Sequence, residues 1–553
     1  MNRRDVIKSL AVAPFIGGAI AKGSAIASSK KLSDSILGGS NIYETIGVEP
    51  VINCRGTFTI IGGSIERPEV LEAIHAAAGF FVQYDELAQG VGKRLGELTG
   101  AEFGIVTAGC AAAMKHATAA CVAGGNPERL IRIPDLSGME ERTEVISPRH
   151  SRNVYDHSIR NVGVKMITVD TPEELRKALS SKTAMIYMFT PRGSDTGEPL
   201  SVEAVCEIAK PFNVPVLVDA AAEDLTIPNV HLKRGATMVA YSGGKAICGP
   251  QCAGLLLGPK GLLMSAWQAS SPHHGPGRDN KVGKEEMLGM LAAVEAWTTR
   301  DHKAEWKRWE SWLGHITDEV TKVDGVTAEV RQPRETISGL NNRSPRLTIS
   351  WDPEKLHITG EEVAEEVART KPRMAIGSGR RSSSKDDLEG DEVNMTSVNI
   401  NPAQMQPGEE KIVADRLYGI LSRTRKPKSN KMKAPAANIA GRWSVDIDFF
   451  SSKSMHTLFL EQDGNWIQGS HQGDFSVREL VGMIEGDEVK LRSNDRHVAD
   501  RITNIFHGKL SGDTITGEIF MGEYLTAKFK ATKNPYEVDK TPVVVPGGPP
   551  LAT

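Results

Sequence analysis

Between residues 40 and 300, short apolar runs alternate with amphipathic helical stretches, and this alternation restricts the architecture more firmly than any other feature. Runs at 104–107, 130–133, 143–146, 164–169, 184–189, 214–218, 238–241 and 254–257 read as buried strands. Helical patterns such as 172–179 and 202–209 fit between them. Strands apolar along their whole length are covered on both faces. The pattern therefore predicts an α/β domain with a parallel sheet of seven or eight strands.

A chain of 553 residues exceeds one core, and the usual domain size suggests about three or four units. Helical patterns at 284–298 and 304–322, strands at 327–331 and 346–351, and helices at 359–370 and 408–421 outline a small α+β domain over 301–425. The acidic stretch 386–392 reads as a solvated loop, and 426–439 as a basic linker. Residues 440–533 change character. About eight alternating strands are separated by turns such as Gln462-Asp-Gly-Asn465 and Ser511-Gly-Asp-Thr514, which favours a small up-and-down barrel. The tail, 534–553, is rich in Pro and Gly and reads as unstructured.

Residues 1–27 carry paired arginines, an apolar stretch from Leu10 to Ala21, and the small-residue end Ala25-Ile-Ala27. This is the layout of a twin-arginine signal peptide, implying export to a periplasm or beyond and no stable membrane anchor in the mature form. A buried amphipathic helix is the alternative, but no helical period supports it. A net charge of −3 with 40% apolar content describes a soluble globular protein without a nucleic-acid footprint. The six cysteines lie among small and apolar residues and read as core thiols. Cys248 and Cys252 lack a His or carboxylate partner nearby in sequence, so no metal is expected.

The chemistry resides in two places. The apolar run Val214-Pro-Val-Leu-Val-Asp219 ends in an acid, and a second short run leads into Ser242-Gly-Gly-Lys245. A pyridoxal phosphate enzyme needs a lysine for the Schiff base, a carboxylate to keep the pyridine nitrogen protonated and a hydroxyl for the phosphate. Lys245, Asp219 and Ser242 supply those types. In Val106-Thr-Ala-Gly-Cys-Ala-Ala-Ala-Met114 a strand turns into an alanine-rich helix. The unpaired amides of Gly109, Cys110 and Ala111 would cradle the phosphate there. Tight helix packing is the other reading of that segment.

Gly47-Val-Glu-Pro-Val-Ile-Asn-Cys-Arg-Gly-Thr57, Leu98-Thr-Gly-Ala101, Val218-Asp-Ala-Ala-Ala222 and Lys281-Val-Gly-Lys-Glu285 join Ser242-Gly-Gly-Lys245 in a resemblance over about residues 40–425. The chain resembles the selenocysteine synthase-like branch of fold type I pyridoxal phosphate enzymes, which includes seryl-tRNA selenium transferase and D-glucosaminate-6-phosphate ammonia-lyase. The resemblance implies an aminotransferase-like large domain, a small domain, and active sites shared in a homodimer or higher homo-oligomer. It makes Lys245 the cofactor lysine and proton shuttle, with Asp219 on the pyridine nitrogen. His150, just after a strand, resembles the ring-stacking histidine of related enzymes, with a surface histidine as the alternative. The Asn that many relatives place after the next strand is not evident in Phe189-Thr-Pro-Arg192, leaving Thr190 or Arg192 for its work. Arg278 is a candidate to reach a phosphate or carboxylate from a neighbouring subunit, and Arg346 and Arg373 are candidates for the substrate carboxylate.

The expected reaction is α,β-elimination from a small-molecule amino acid, a sugar-derived 2-amino-3-hydroxy acid, to a 2-oxo-3-deoxy acid and ammonia. Another pyridoxal phosphate reaction is the first alternative. The second is a non-catalytic scaffold whose barrel binds a glycan, with Trp443 and Trp466 as candidates to face the sugar, core packing being the alternative for both.

Overall fold

A computed structural model describes residues 41–380, 395–427, 431–498 and 500–535, with Thr541, Pro542 and Gly548 beyond them. The twin-arginine segment and the acidic stretch 386–392 lie outside the described residues. The chain divides into two units. One holds residues up to His150 and Asn161–Lys426; the other holds Ser151–Arg160 and Pro427–Thr553.

The first unit is built on a seven-stranded sheet: β1 (Phe103–Thr107), β2 (Glu144–Pro148), β3 (Lys165–Val169), β4 (Thr183–Phe189), β5 (Val216–Asp219), β6 (Met238–Ser242) and β7 (Gly254–Gly258). Their order across the sheet is β1-β7-β6-β5-β4-β2-β3. The sheet is mixed rather than parallel, because β7 runs antiparallel to both β1 and β6. A short Lys245 loop returns the chain directly from β6 to its neighbour, and so compact a link can join only antiparallel strands. The run at 130–133 is not a strand. Asn126 caps the helical turn Pro127–Leu130 through its side-chain oxygen, accepting from the Glu128 N–H at 2.9 Å, and Pro127 opens that turn.

The sheet core is nearly dry. Val218, Val239, Leu255 and Tyr241 are fully buried, in keeping with strands that read as apolar throughout. Helix α1 (Cys110–Ala123) leaves β1 and is buried along almost its whole length, which its alanines permit.

Helices α2 (Lys284–Thr299) and α3 (His302–Val320) lead to a second core. There β8 (Thr327–Arg331), β9 (Arg346–Trp351), β10 (Gly377–Arg380) and β11 (Thr396–Ile400) form an antiparallel sheet in the order β10-β11-β9-β8. Near the start of the described chain, Ile52–Asn53 pairs in parallel with Met374–Ala375 and seats Cys54 in this second core.

The second unit contains a closed barrel of eight antiparallel strands: β12 (Gly441–Asp448), β13 (Lys453–Asp463), β14 (Trp466–Gln472), β15 (Val477–Glu485), β16 (Glu488–His497), β17 (Asp500–Ser511), β18 (Thr514–Phe520) and β19 (Thr526–Asn534). Strict inward–outward alternation fills the interior with Trp443, Val445, Ile447, Phe506 and Phe529. Trp443 therefore belongs to the core, where its Nε1 donates to the Ile439 carbonyl at 2.9 Å, and it is not a surface platform. Trp466 points outward.

Candidate active site

In an open α/β sheet, ligands gather at the carboxyl ends of the parallel strands. β2, β4, β5 and β6 are mutually parallel. β1 shares their direction, since it opposes β7 and β7 opposes β6. Gly109 follows β1, His150 follows β2, Asp219 ends β5 and Ser242 ends β6, so the topology places all four on one edge of the sheet. Lys245 is three residues beyond β6.

Asp219 is 2% exposed. Its Oδ1 accepts from the Ala221 N–H at 3.1 Å and the Cys110 thiol at 3.5 Å, and its Oδ2 accepts from the Tyr187 hydroxyl at 3.1 Å. Burial pushes this carboxyl above the usual range, while the Ala221 amide, the Lys245 charge, Tyr187 and Cys110 pull it back. A carboxylate has about four lone-pair positions, so three donors leave one for a further N–H. Cys110 is held as a thiol by burial and by the charge of Asp219.

Before Lys245 the chain must pass through a crowded turn. A Cβ on Gly243 would lie 2.6 Å from the Pro250 carbonyl oxygen, and one on Gly244 would lie 2.7 Å from Gln251 Cα. This explains the two glycines of the motif. Beyond the lysine, Arg300 donates to the carbonyls of Ala246 at 3.2 Å and Ile247 at 3.1 Å, with its guanidinium 4.8 Å from the Trp297 ring. The lysine thus stands on a loop pinned from both sides, as a reacting group requires.

Gly109 caps α1 with φ of 86° and no side chain to satisfy the first amides. β7 approaches this turn closely: a Cβ on Gly254 would lie 2.7 Å from Cys110 N. Gly254→Ala is expected to displace the cradle and weaken cofactor phosphate binding by about a hundredfold, with far-UV circular dichroism unchanged. Titration of the apoprotein with pyridoxal phosphate checks this, and unaltered affinity would remove the cradle from that turn.

His150 packs its ring on Gly193, where an added Cβ would come within 3.2 Å of Cγ. Its Nε2 is buried without a hydrogen-bond partner among the described residues. Burial holds the imidazole below its ordinary pKa, against the charge of Glu198. A neutral ring with one uncommitted buried nitrogen suits a stacking role beside a planar group. The open helix start, the carboxylate with one position left and this imidazole are features that pyridoxal phosphate would complete, so the residues fit it. Asp219 would hold its pyridine nitrogen, and the amides of Cys110 and Ala111 with Ser242 its phosphate; the Gly109 N–H, expected to join them, is already donated to the Thr107 carbonyl at 2.9 Å.

Sequence reasoning missed Tyr187, whose signal was a hydroxyl inside an otherwise apolar strand. It also missed Arg300. Thr190 donates its hydroxyl to Glu223, which is buried and bonded to His231 Nε2 at 2.6 Å, so that hydroxyl is already committed. Arg192 is exposed. The three candidate substrate arginines are not brought together. Arg278 donates to Ser271 Oγ at 3.0 Å, Arg346 is exposed on β9, and Arg373 donates to the Ala368 carbonyl at 2.7 Å.

A cavity of about 670 Å³ lies in this unit, bounded by Ala222, Ala246, Arg300, Asn342, Arg343 and indoles of α3. Lys245 and Asp219 are not among its lining residues. Asp224 on its wall is pushed up to about 6 by burial, despite Arg343 and Arg300. The folded pKa exceeds the unfolded value near 3.9, so the buried charge costs stability at neutral pH, and the cost disappears as pH falls below both values. Asp224→Asn is expected to stabilise the fold by on the order of 2 kcal/mol at pH 8 and by nothing measurable below about pH 3, read from thermal melts.

No family model matches the chain. A D-glucosaminate-6-phosphate ammonia lyase of Salmonella typhimurium is 31% identical over 301 residues, 53% of this chain and 78% of that protein. The chain belongs to this ammonia-lyase family of fold type I pyridoxal phosphate enzymes. The solved structure of a D-glucosaminate-6-phosphate ammonia-lyase matches with a TM-score of 0.58 at 26% identity, covering 69% of this chain and 98% of that one. A 5'-C-glycyluridine monooxygenase-decarboxylase of a Streptomyces species is 28% identical over 395 residues, 68% of this chain and 92% of that protein. Close to a third of the present chain therefore has no counterpart in the matched ammonia-lyase structure.

Proposed function

We propose that this chain is a pyridoxal phosphate-dependent lyase that removes ammonia from a sugar-derived 2-amino-3-hydroxy acid by α,β-elimination. The observation that carries the reading is the gathering of Gly109, Asp219 and Ser242 on the sheet edge that leads into Lys245, in a chain 31% identical to an ammonia lyase. Bound there, pyridoxal phosphate supplies an electron sink for the substrate Cα. Asp219 keeps a negative charge against the pyridine nitrogen in a dry setting, where such a charge acts strongly. The amine of Lys245 takes the Cα proton and delivers a proton to the departing 3-hydroxyl, which leaves as water. The resulting enamine tautomerises to an imine, whose hydrolysis returns that water and gives the 2-oxo-3-deoxy acid and ammonia. The neutral His150 ring would stack on the cofactor, leaving proton transfer to Lys245.

Incubation of the holoprotein with D-glucosaminate and with its 6-phosphate, measuring ammonia and 2-oxo acid together, tests this reading. Equal yields of both products are expected from one of them. Oxygen uptake with carbon dioxide release and no 2-oxo-3-deoxy acid would instead assign the chemistry named for the Streptomyces relative.

Two further parts belong to the proposal. Phe58, Ile60, Ile65, Phe80 and Phe81 are exposed within 25 residues of one another in sequence, and this apolar exposure supports a homo-oligomer in which a second copy would cover them. The paired arginines and apolar stretch of residues 1–27 support export by the twin-arginine route.

A further inference from the structure

We propose that the outer wall of the barrel carries a binding site for an acidic oligosaccharide, centred on Trp466. The site follows from register. One outward-facing rung runs across the strands as Asp463, Trp466, Met483 and Lys490, and the next as Glu461, Gln468, Val481, Arg492 and Ile505. Between them lies the inward-facing rung of Ile467, Gly482 and Leu491. Two raised rows thus flank a sunken one, forming a groove of about 730 Å³ that crosses β13 to β17 perpendicular to the strands. Four strand spacings give it a length of about 19 Å, which suits a short linear oligosaccharide. The floor between the rows is the backbone of inward-facing positions, and at Gly482 the strands pack so closely that an added Cβ, turned inward, would lie 2.8 Å from Leu491 Cα.

Chemistry along the groove selects the ligand. Trp466 is 61% exposed, although an indole buries a large apolar area whenever a partner is present. The apolar C–H face of a pyranose ring matches the negative face of the indole. Gln468, which donates to Glu461 Oε2 at 2.9 Å, sets a donor–acceptor pair beside it for ring hydroxyls. The two carboxylates of the groove, Glu461 and Asp463, stand at its β13 end, while Lys490, 4.0 Å from Glu488, and Arg492, without an ion pair among the described residues, place two cations on β16 beyond two intervening strands. They fit the carboxylate of a uronic acid.

A peptide is poorly served by this surface. Extended peptides bind sheets by adding to an edge, and the closed barrel offers no edge. Thirteen lining residues also fall short of the roughly 20–30 a side of a stable protein interface.

Calorimetric titration of the full chain with tetragalacturonate, with cellotetraose as the neutral control, tests the proposal. Tetragalacturonate is expected to bind and cellotetraose to bind about tenfold more weakly or not at all. Trp466→Ala should weaken the acidic ligand about tenfold, and Arg492→Gln should remove most of the preference over cellotetraose. Both positions face outward, and unchanged thermal melts would confirm that the barrel is intact. Absence of tetragalacturonate binding, equal binding of the neutral tetraose, or affinity unaltered in both variants would overturn the assignment. So would a Trp466→Ala protein that sediments as a smaller assembly, since the groove would then be a contact between copies.

Discussion

Lys245→Ala is expected to yield a folded protein that has lost the reaction, with turnover lower by about 10⁴-fold or more. Lys245 is only part-buried, and its loop is held by Arg300 through the carbonyls of Ala246 and Ile247. The substitution should therefore leave the thermal melt close to that of the parent. The decisive readout is the visible absorption of the protein loaded with pyridoxal phosphate, before and after borohydride. In the parent, reduction should abolish the band and fix the cofactor to the chain through denaturation. In the variant, any cofactor held by Asp219 and the α1 amides should wash out. A variant that keeps its turnover, or that still retains reduced cofactor covalently, would transfer the role to another lysine and dissolve the argument built on the β6 loop.

How far the sequence carried this reading depends on which physical signal each feature leaves. β5 and β6 were legible because both are short apolar runs, one ending in the acid and the other in the serine that opens Ser-Gly-Gly-Lys. The reversed direction of β7 was not legible, since an apolar run reads the same whichever way the strand points. The false strand at 130–133 came from the apolar residues Leu130, Ile131 and Ile133, while Pro127 and the Asn126 cap carried the helical signal beside them. Arg278, Arg346 and Arg373 were chosen for charge alone. Charge does not say which acceptor a long side chain will meet, and each found one near its own turn or strand or stayed in solvent. Arg300 went unseen for the same reason, because its partners are carbonyls more than fifty residues away in sequence. The two barrel tryptophans show what phase adds to composition. Trp443 shares the inward phase of Val445 and Ile447, whereas Trp466 is out of phase with Ile467, so alternation places one inside and the other outside.

Asp219→Asn separates the catalytic role of the carboxylate from its structural one, because the two respond with opposite sign. Asparagine keeps the shape and can still accept the Ala221 N–H, while Tyr187 can turn its hydroxyl to accept from the new amide. What is lost is the charge opposite the pyridine nitrogen, and turnover at saturating pyridoxal phosphate is expected to fall about 10³-fold. Stability should move the other way. Burial raises the Asp219 carboxyl above its unfolded value in the apoprotein, so the ionised form is a cost to folding at neutral pH that fades as pH falls. Removing it should raise the apoprotein melting temperature at pH 8 and leave it unchanged in acid, where both states are protonated. If the carboxylate served only to organise Tyr187 and Cys110, the variant would melt earlier at every pH and retain most of its turnover. A slower enzyme on a more stable apoprotein is the outcome that assigns Asp219 to the chemistry.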